Sequence, residues 1–231
     1  METNLSNESY NYEPSRIAPG NLIQLSDRQV NVRLRLSRPE IVLVDGFMTD
    51  SECDELIGIA QHKLSPSTVV DLQSGGKILH EGRTSEGTYF HRNENTLIQQ
   101  LELRISELLN FPIENGEGIQ ILRYKIGEEY RPHFDFFPEQ EPGSAAYLSQ
   151  GGQRISTLIL YLNEVEDGGE TIFPDIHLSV IPRKGSALYF SYLNSLNQTD
   201  PLTLHGGAPV KSGEKWIATK WMRKNEYKLI T

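Results

Sequence analysis

From residue 118 the apolar positions of this chain recur every second residue, after a first half in which they recur every three or four. That switch of period limits the fold more than any other feature. "IQILRYKIG" puts Gln120, Leu122, Tyr124 and Ile126 on one face of a strand. "ISTLILYL" (155–162) is nearly all apolar, which predicts a strand buried on both faces. "SALYFS" (186–191) and "KWIATKWMR" (215–223) read as further strands, and "EDGGE", "PRKG" and "KSGE" supply the turns between them. Upstream, "TDSECDELIGIAQHKL" opens on Thr49 with Glu52 three residues later, a capping box. Cys53, Leu56, Ile57 and Ala60 follow on one helical face, and Leu97, Leu101, Ile105 and Leu108 mark a second helix. Two helices followed by many short strands predict an α+β chain ending in an antiparallel sandwich or jelly roll.

Residues 1–22 are polar and rich in Asn, Ser and Glu, and are expected to form a flexible N-terminal arm. The remainder, 23–231, is expected to be one domain: mixed helical support over 40–117 and a β core over 118–227. Segments 72–87 and 138–153 follow neither period, and unpatterned loops of that length are often lids or binding loops. The formal net charge of −9 argues against nucleic acid as a partner. Cys53 is the lone cysteine, so neither an internal disulfide nor a Cys-based zinc site is available. The first residues contain no apolar run, so a cytoplasmic chain without membrane attachment is expected. "QVNVRLRL" could add a strand at a homodimer interface.

Within the strand-rich half, "RPHFDFF" sets His133 and Asp135 two residues apart. On a strand they share a side, roughly 7 Å apart at Cα. They could converge on one ion, with His205 of "LTLHGGAP" as a third ligand; His62, His80, His91 and His177 lie in weaker contexts. Two histidines and a carboxylate make the facial triad of non-heme iron(II) oxygenases. The plainer readings are a polar strand face for the first pair and a surface histidine beside a Gly-Gly turn for the third. Lys215 shares a strand face with Ile217, Thr219 and Trp221. It suits either an anionic cosubstrate or a charge guarding an edge strand.

Taken together, "HFD", "GGETIFP" (168–174), "PRKGSALYF" (182–190) and "LHGGAPVKSGEKWIATKWMR" (204–223) resemble the prolyl 4-hydroxylase family, iron(II)- and 2-oxoglutarate-dependent dioxygenases. The resemblance runs from about residue 40 to 227 and is to the short, single-domain microbial type. It implies a double-stranded β-helix (jelly roll) core with the N-terminal helices packed on one sheet. It implies His133, Asp135 and His205 as iron ligands and catalytic centre, and Lys215, Tyr124 and Thr171 around 2-oxoglutarate. Tyr130, Arg154, Trp221 and Arg83 would meet the substrate, with Phe134, Phe136, Leu158 and Leu160 as apolar walls. The implied cofactors are Fe(II), 2-oxoglutarate and O2, with ascorbate as an accessory. The implied reaction is hydroxylation at C4 of a proline in a peptide or protein, with release of succinate and CO2. A free amino-acid hydroxylase on the same scaffold and a metal-binding module without turnover are the alternatives.

Overall fold

A computed structural model of the chain describes residues 10–228. Both expected helices and the strand-rich second half appear in it, with further strands before and between the helices. Three strands come first, β1 (Leu22–Gln24), β2 (Gln29–Ser37) and β3 (Glu40–Asp45), then helix α1 (Asp50–Ala60). Short strands β4 (Ser65–Pro66), β5 (Val69–Val70), β6 (Lys77–Ile78) and β7 (Glu86–Phe90) lead to helix α2 (Thr96–Leu109). The second half begins with β8 (Ile119–Tyr124) and β9 (Tyr130–His133), followed by the short helix α3 (Ser144–Leu148) and β10 (Arg154–Tyr161). Next come β11 (Asp167–Gly168), β12 (Thr171–Phe173), β13 (Leu178–Val180) and β14 (Ala187–Ser191). The last three are β15 (His205–Gly207), β16 (Val210–Ser212) and β17 (Lys215–Arg223).

A nine-stranded antiparallel sheet runs β1-β2-β3-β14-β10-β17-β8-β7-β4, and a smaller sheet runs β13-β12-β15-β9. The central strands of the large sheet are covered twice. Toward the helices, Leu158, Leu160, Trp216 and Ala218 join Leu56, Leu101 and Ile105 in one core. Toward the small sheet, Ile159, Tyr161 and Ile217 join Phe173 and Val180 in another. This is the jelly-roll sandwich, with α1 and α2 packed on its outer face. It explains why "ISTLILYL" has no polar side: the pleat sends alternate residues into two different cores. The same alternation corrects one expectation. Leu158 and Leu160 lie against the helices rather than the site, and Thr157 and Ile159 occupy the cavity wall instead.

The helices are tied down as their sequence signals require. Thr49 Oγ1 accepts from Glu52 N at 3.2 Å, while Glu52 Oε2 accepts from Thr49 N at 2.8 Å. Asn95 caps α2, and Asn110 ends it in the left-handed region at φ 46°. Leu101 is wholly buried between α2 and the sheet. Leu101→Ala is expected to lower unfolding free energy by about 2–5 kcal/mol, through lost burial and the cavity left behind. Chemical denaturation measures this, and a loss below about 1 kcal/mol would show that α2 does not rest on the sheet as described.

Two further expectations change. Residues 10–22 belong to the proposed arm, yet Ile17 is buried and Arg35 donates to the carbonyls of Ile17 and Ala18. Asn11 N donates to Gln198 Oε1, and Asn194 Nδ2 donates to Asn11 O. A few anchoring contacts are enough to seat a polar segment that composition marks as free. Residues 1–9 lie outside the described residues. "QVNVRLRL" is not a spare strand: residues 29–31 pair with β1 and residues 31–37 with β3. Among the described residues no helix is long and apolar enough to cross a membrane.

Candidate active site

The site lies between the two sheets. Strands β15 and β9 pair antiparallel with His205 directly opposite His133. Such close pairing needs a residue without a side chain next to His205. A Cβ on Gly206 would stand 2.8 Å from Tyr130 O and 3.0 Å from Pro132 N. This gives the Gly-Gly after His205 a packing role. Asp135 is not on the strand, as its spacing suggested. β9 ends at His133, and Asp135 follows in a bend. The bend brings its carboxylate 3.5 Å from His133 Nε2 and 3.5 Å from His205 Nε2. One donor atom from each of the three residues lies within 4.8 Å of the others, the separation at which donors can share an ion.

Both imidazoles are held by their other nitrogen. His133 Nδ1 bonds Arg131 O at 2.9 Å, and His205 Nδ1 bonds Thr203 O at 3.0 Å. A backbone carbonyl accepting from Nδ1–H fixes the tautomer whose Nε2 lone pair is free for a metal. Burial pushes His205 down to about 4, against the pull of Asp135, so the ring is neutral at pH 7. For Asp135 burial works to raise the acid, but opposing charge, that of Arg154 included, outweighs it and keeps the carboxylate ionised. Thr157 Oγ1 donates to Asp135 Oδ2 at 2.6 Å and lies 3.2 Å from the Tyr192 hydroxyl, which orients the carboxylate. Two imidazoles held by backbone carbonyls and one carboxylate anchored by Thr157 are the donor set that suits iron(II).

Lys215 stands at the start of β17, opposite Tyr124 of β8, with its Nζ 5.5 Å from the Tyr124 ring centre. It is 2% exposed, and among the described residues it makes no ion pair. A Cβ on Gly207 would be 3.5 Å from Lys215 Nζ, which places the ammonium beside the strand that carries His205. Burial pushes the amine down to about 8, with Glu170 pulling the other way. An unpaired ammonium in a cavity shared with three metal-type donors is a fit for a dicarboxylate such as 2-oxoglutarate. Thr171 lines the same cavity and its hydroxyl accepts from Tyr161 OH at 2.7 Å.

The other expected residues gather at the mouth. The Tyr130 ring stacks on His133 at 3.6 Å between centroids. The Arg83 guanidinium lies 4.7 Å from the centre of the Tyr130 ring, and that of Arg154 lies 4.0 Å from the Trp221 ring. Phe134 and Phe136 line the outer groove, their rings 4.8 Å apart. Arg154 differs from its sequence reading in one respect: few of its donors are free. Nε and Nη2 bond Glu117 at 2.7 and 3.0 Å, and Nη1 reaches Asp135 O at 3.4 Å. Arg223 also pairs with Glu117, at 2.7 Å. Sequence reasoning missed Glu117, which reads as a loop charge in "NGEGIQ", and Gln120, whose Oε1 accepts from Arg83 at 3.0 Å. Thr157 was discoverable, since it alternates with Ile159.

The comparisons with known proteins agree with this geometry. Residues 119–223 match the family model described as 2OG-Fe(II) oxygenase superfamily. The chain is 39% identical to prolyl 4-hydroxylase 5 of Arabidopsis thaliana over 210 residues, covering 83% of this chain and 70% of that protein. It is 37% identical to prolyl 4-hydroxylase 2 of the same plant over 217 residues, covering 84% and 71%. Among solved structures it is similar to the viral collagen prolyl hydroxylase of Paramecium bursaria Chlorella virus-1 in complex with 2OG. There the identity is 34% and the TM-score 0.63, with 79% of this chain and 95% of that chain covered. With these relatives sharing most of its length, the chain belongs to the prolyl 4-hydroxylase family of 2-oxoglutarate- and iron(II)-dependent oxygenases.

Proposed function

We propose that this protein hydroxylates C4 of a proline held within a peptide chain, using O2 and 2-oxoglutarate and releasing succinate and CO2. One observation carries the reading. The His133–Asp135–His205 face opens on a cavity that contains the unpaired Lys215, and also borders a long groove lined by Arg83, Tyr130, Arg154 and Trp221. Iron would be held by the three ligands and 2-oxoglutarate by Lys215, with Tyr124 and Thr171 alongside; together they supply the oxidising chemistry. The chain's own residues bind, orient and exclude water. Thr157 fixes the Asp135 carboxylate, the backbone carbonyls fix both imidazoles, and the apolar wall around Ile159 and Ile217 keeps the cavity dry.

Three observations favour peptide over free proline. Buried donors at the groove lack protein partners: Trp221 Nε1 and Arg83 Nε. Such donors suit the carbonyl and carboxylate oxygens of a bound chain. The two unpatterned segments also meet beside the groove. Gly143 N donates to Leu72 O at 2.8 Å, and Tyr147 OH donates to Gly75 O at 3.1 Å. The viral relative is named for collagen, a polymer substrate. The direct test measures succinate and +16 Da products with a proline-rich peptide, with free proline and with neither. Peptide-dependent succinate and a modified peptidyl proline are expected; a preference for free proline would favour the amino-acid hydroxylase.

Arg154 is a positioning residue in this reading. Clamped by Glu117, it fixes the Trp221 ring face and the Asp135 backbone at once. Arg154→Ala is expected to cut kcat/KM for peptide by about 100-fold, the scale at which a misplacement near 1 Å acts. The slow, peptide-independent turnover of 2-oxoglutarate should largely persist. Equal loss of both activities would place Arg154 in the cofactor site instead.

A further inference from the structure

Among the side chains that line the groove outside the cavity, cations outnumber carboxylates, the reverse of the molecule as a whole. The chain carries 31 acidic and 22 basic side chains. Yet beyond the ligand Asp135, the one carboxylate lining the groove among the described residues is Asp71. Its oxygens are occupied locally, accepting from Gln73 N at 3.1 Å and from the Ser74 hydroxyl at 2.5 Å. Four cations line the groove: Lys77, Arg83, Arg131 and Arg154. Arg154 is neutralised by Glu117, and Arg131 is shared between Glu81 and Glu129, each at 3.3 Å. Lys77 and Arg83 form no ion pair among the described residues.

Arg83 is the more telling of the two. It is 8% exposed, yet its partners are neutral: Thr68 O at 3.1 Å and Gln120 Oε1 at 3.0 Å. Its Nε has no partner at all. A desolvated guanidinium without a carboxylate is unfavourable unless a ligand supplies one. Arg83 lines both the cavity and the groove, so it stands where the two join. Lys77 extends the positive field along the β5–β6 hairpin. The groove is otherwise apolar at its surface, with Leu72, Ile78, Tyr89 and Phe134 exposed. Exposed apolar side chains grouped along one groove mark a docking surface.

We propose that the peptide taken by this site carries carboxylate side chains beside its target proline, met by Arg83 at the cavity mouth and by Lys77 on the hairpin. The proposal rests on the prolyl reading above and narrows its substrate class. A chain of net charge −9 repels an acidic peptide at long range, while Lys77 and Arg83, free of ion pairs among the described residues, attract it locally. Specificity then arises from both terms.

The test uses three peptides with one shared proline core, flanked by Glu, Ala or Lys. Values of kcat/KM are read from succinate and from +16 Da products at about 0.01 M and about 0.15 M ionic strength, where the screening length falls from about 30 to about 8 Å. The Glu peptide is expected to exceed the Ala peptide by about tenfold at low salt, with the Lys peptide poorest and the differences narrowing at high salt. Lys77→Glu should reduce the Glu-to-Ala ratio several-fold. That ratio cancels any change in the amount of folded enzyme. Equal values for the three peptides, or a ratio untouched by Lys77→Glu, would overturn the proposal while leaving prolyl hydroxylation intact. If no peptide is hydroxylated while 2-oxoglutarate is still consumed, the prolyl reading itself fails, and this inference with it.

Discussion

Replacing His205 by alanine is expected to abolish 2-oxoglutarate turnover and reduce iron(II) binding to the level of a two-ligand site. The ring has no understudy. His133, Asp135 and His205 are the one cluster of metal-type donors among the described residues, and the remaining histidines lie outside it. The ring is also fully prepared for its role: neutral by burial, oriented by Thr203 O, and placed opposite His133 by strand register. His133→Ala and Asp135→Ala should be equally silent, because two protein ligands do not hold iron with a defined open face. Anaerobic iron titration followed by succinate measurement checks both halves of the expectation. Near-normal succinate from His205→Ala would show that the assignment of the triad is wrong.

Lys215→Ala should produce the second large effect, and a different one. Iron binding should be nearly normal, while the Michaelis constant for 2-oxoglutarate rises steeply. Removing one member of a desolvated ion pair costs roughly 2–5 kcal/mol, or about 30-fold to several-thousand-fold in affinity. Lys215→Met keeps the length but not the charge and should not rescue. The wild type should carry a matching pH signature. With its amine pushed down to about 8, Lys215 loses its proton as pH rises through that value in the free enzyme. The bound dianion requires the charged form, so affinity for 2-oxoglutarate should be full below pH 8 and fall above it. A Michaelis constant unchanged in Lys215→Ala would return this lysine to the role of a strand charge without a ligand.

Much of this is legible in the sequence, and particular residues show why. The change to a two-residue period at 118 separates helical support from β core, because period reflects which face a backbone can bury. The capping box at Thr49 and Glu52 is written within four residues and forms as written. His133 and Asp135 are close in sequence, so they remain neighbours even though a bend rather than a strand joins them. His205 and Lys215 were found by residue type and by the sequence around them, and the fold places both at the cavity.

What the chain order leaves undecided is every choice between equivalent faces and every pairing of distant charges. "ISTLILYL" is apolar on both sides, so its own period cannot say which side meets the iron site. The helices claim Leu158 and Leu160, and the small sheet is left with Thr157 and Ile159. Glu117 and Arg154 are 37 residues apart, and nothing in the sequence pairs them until folding buries them together. The polar residues 10–22 look free until Ile17 finds its pocket. Local spacing acts through backbone geometry and is therefore readable from the sequence. Face selection and buried charge pairing depend on which distant element arrives at that surface, and only the assembled sandwich decides that.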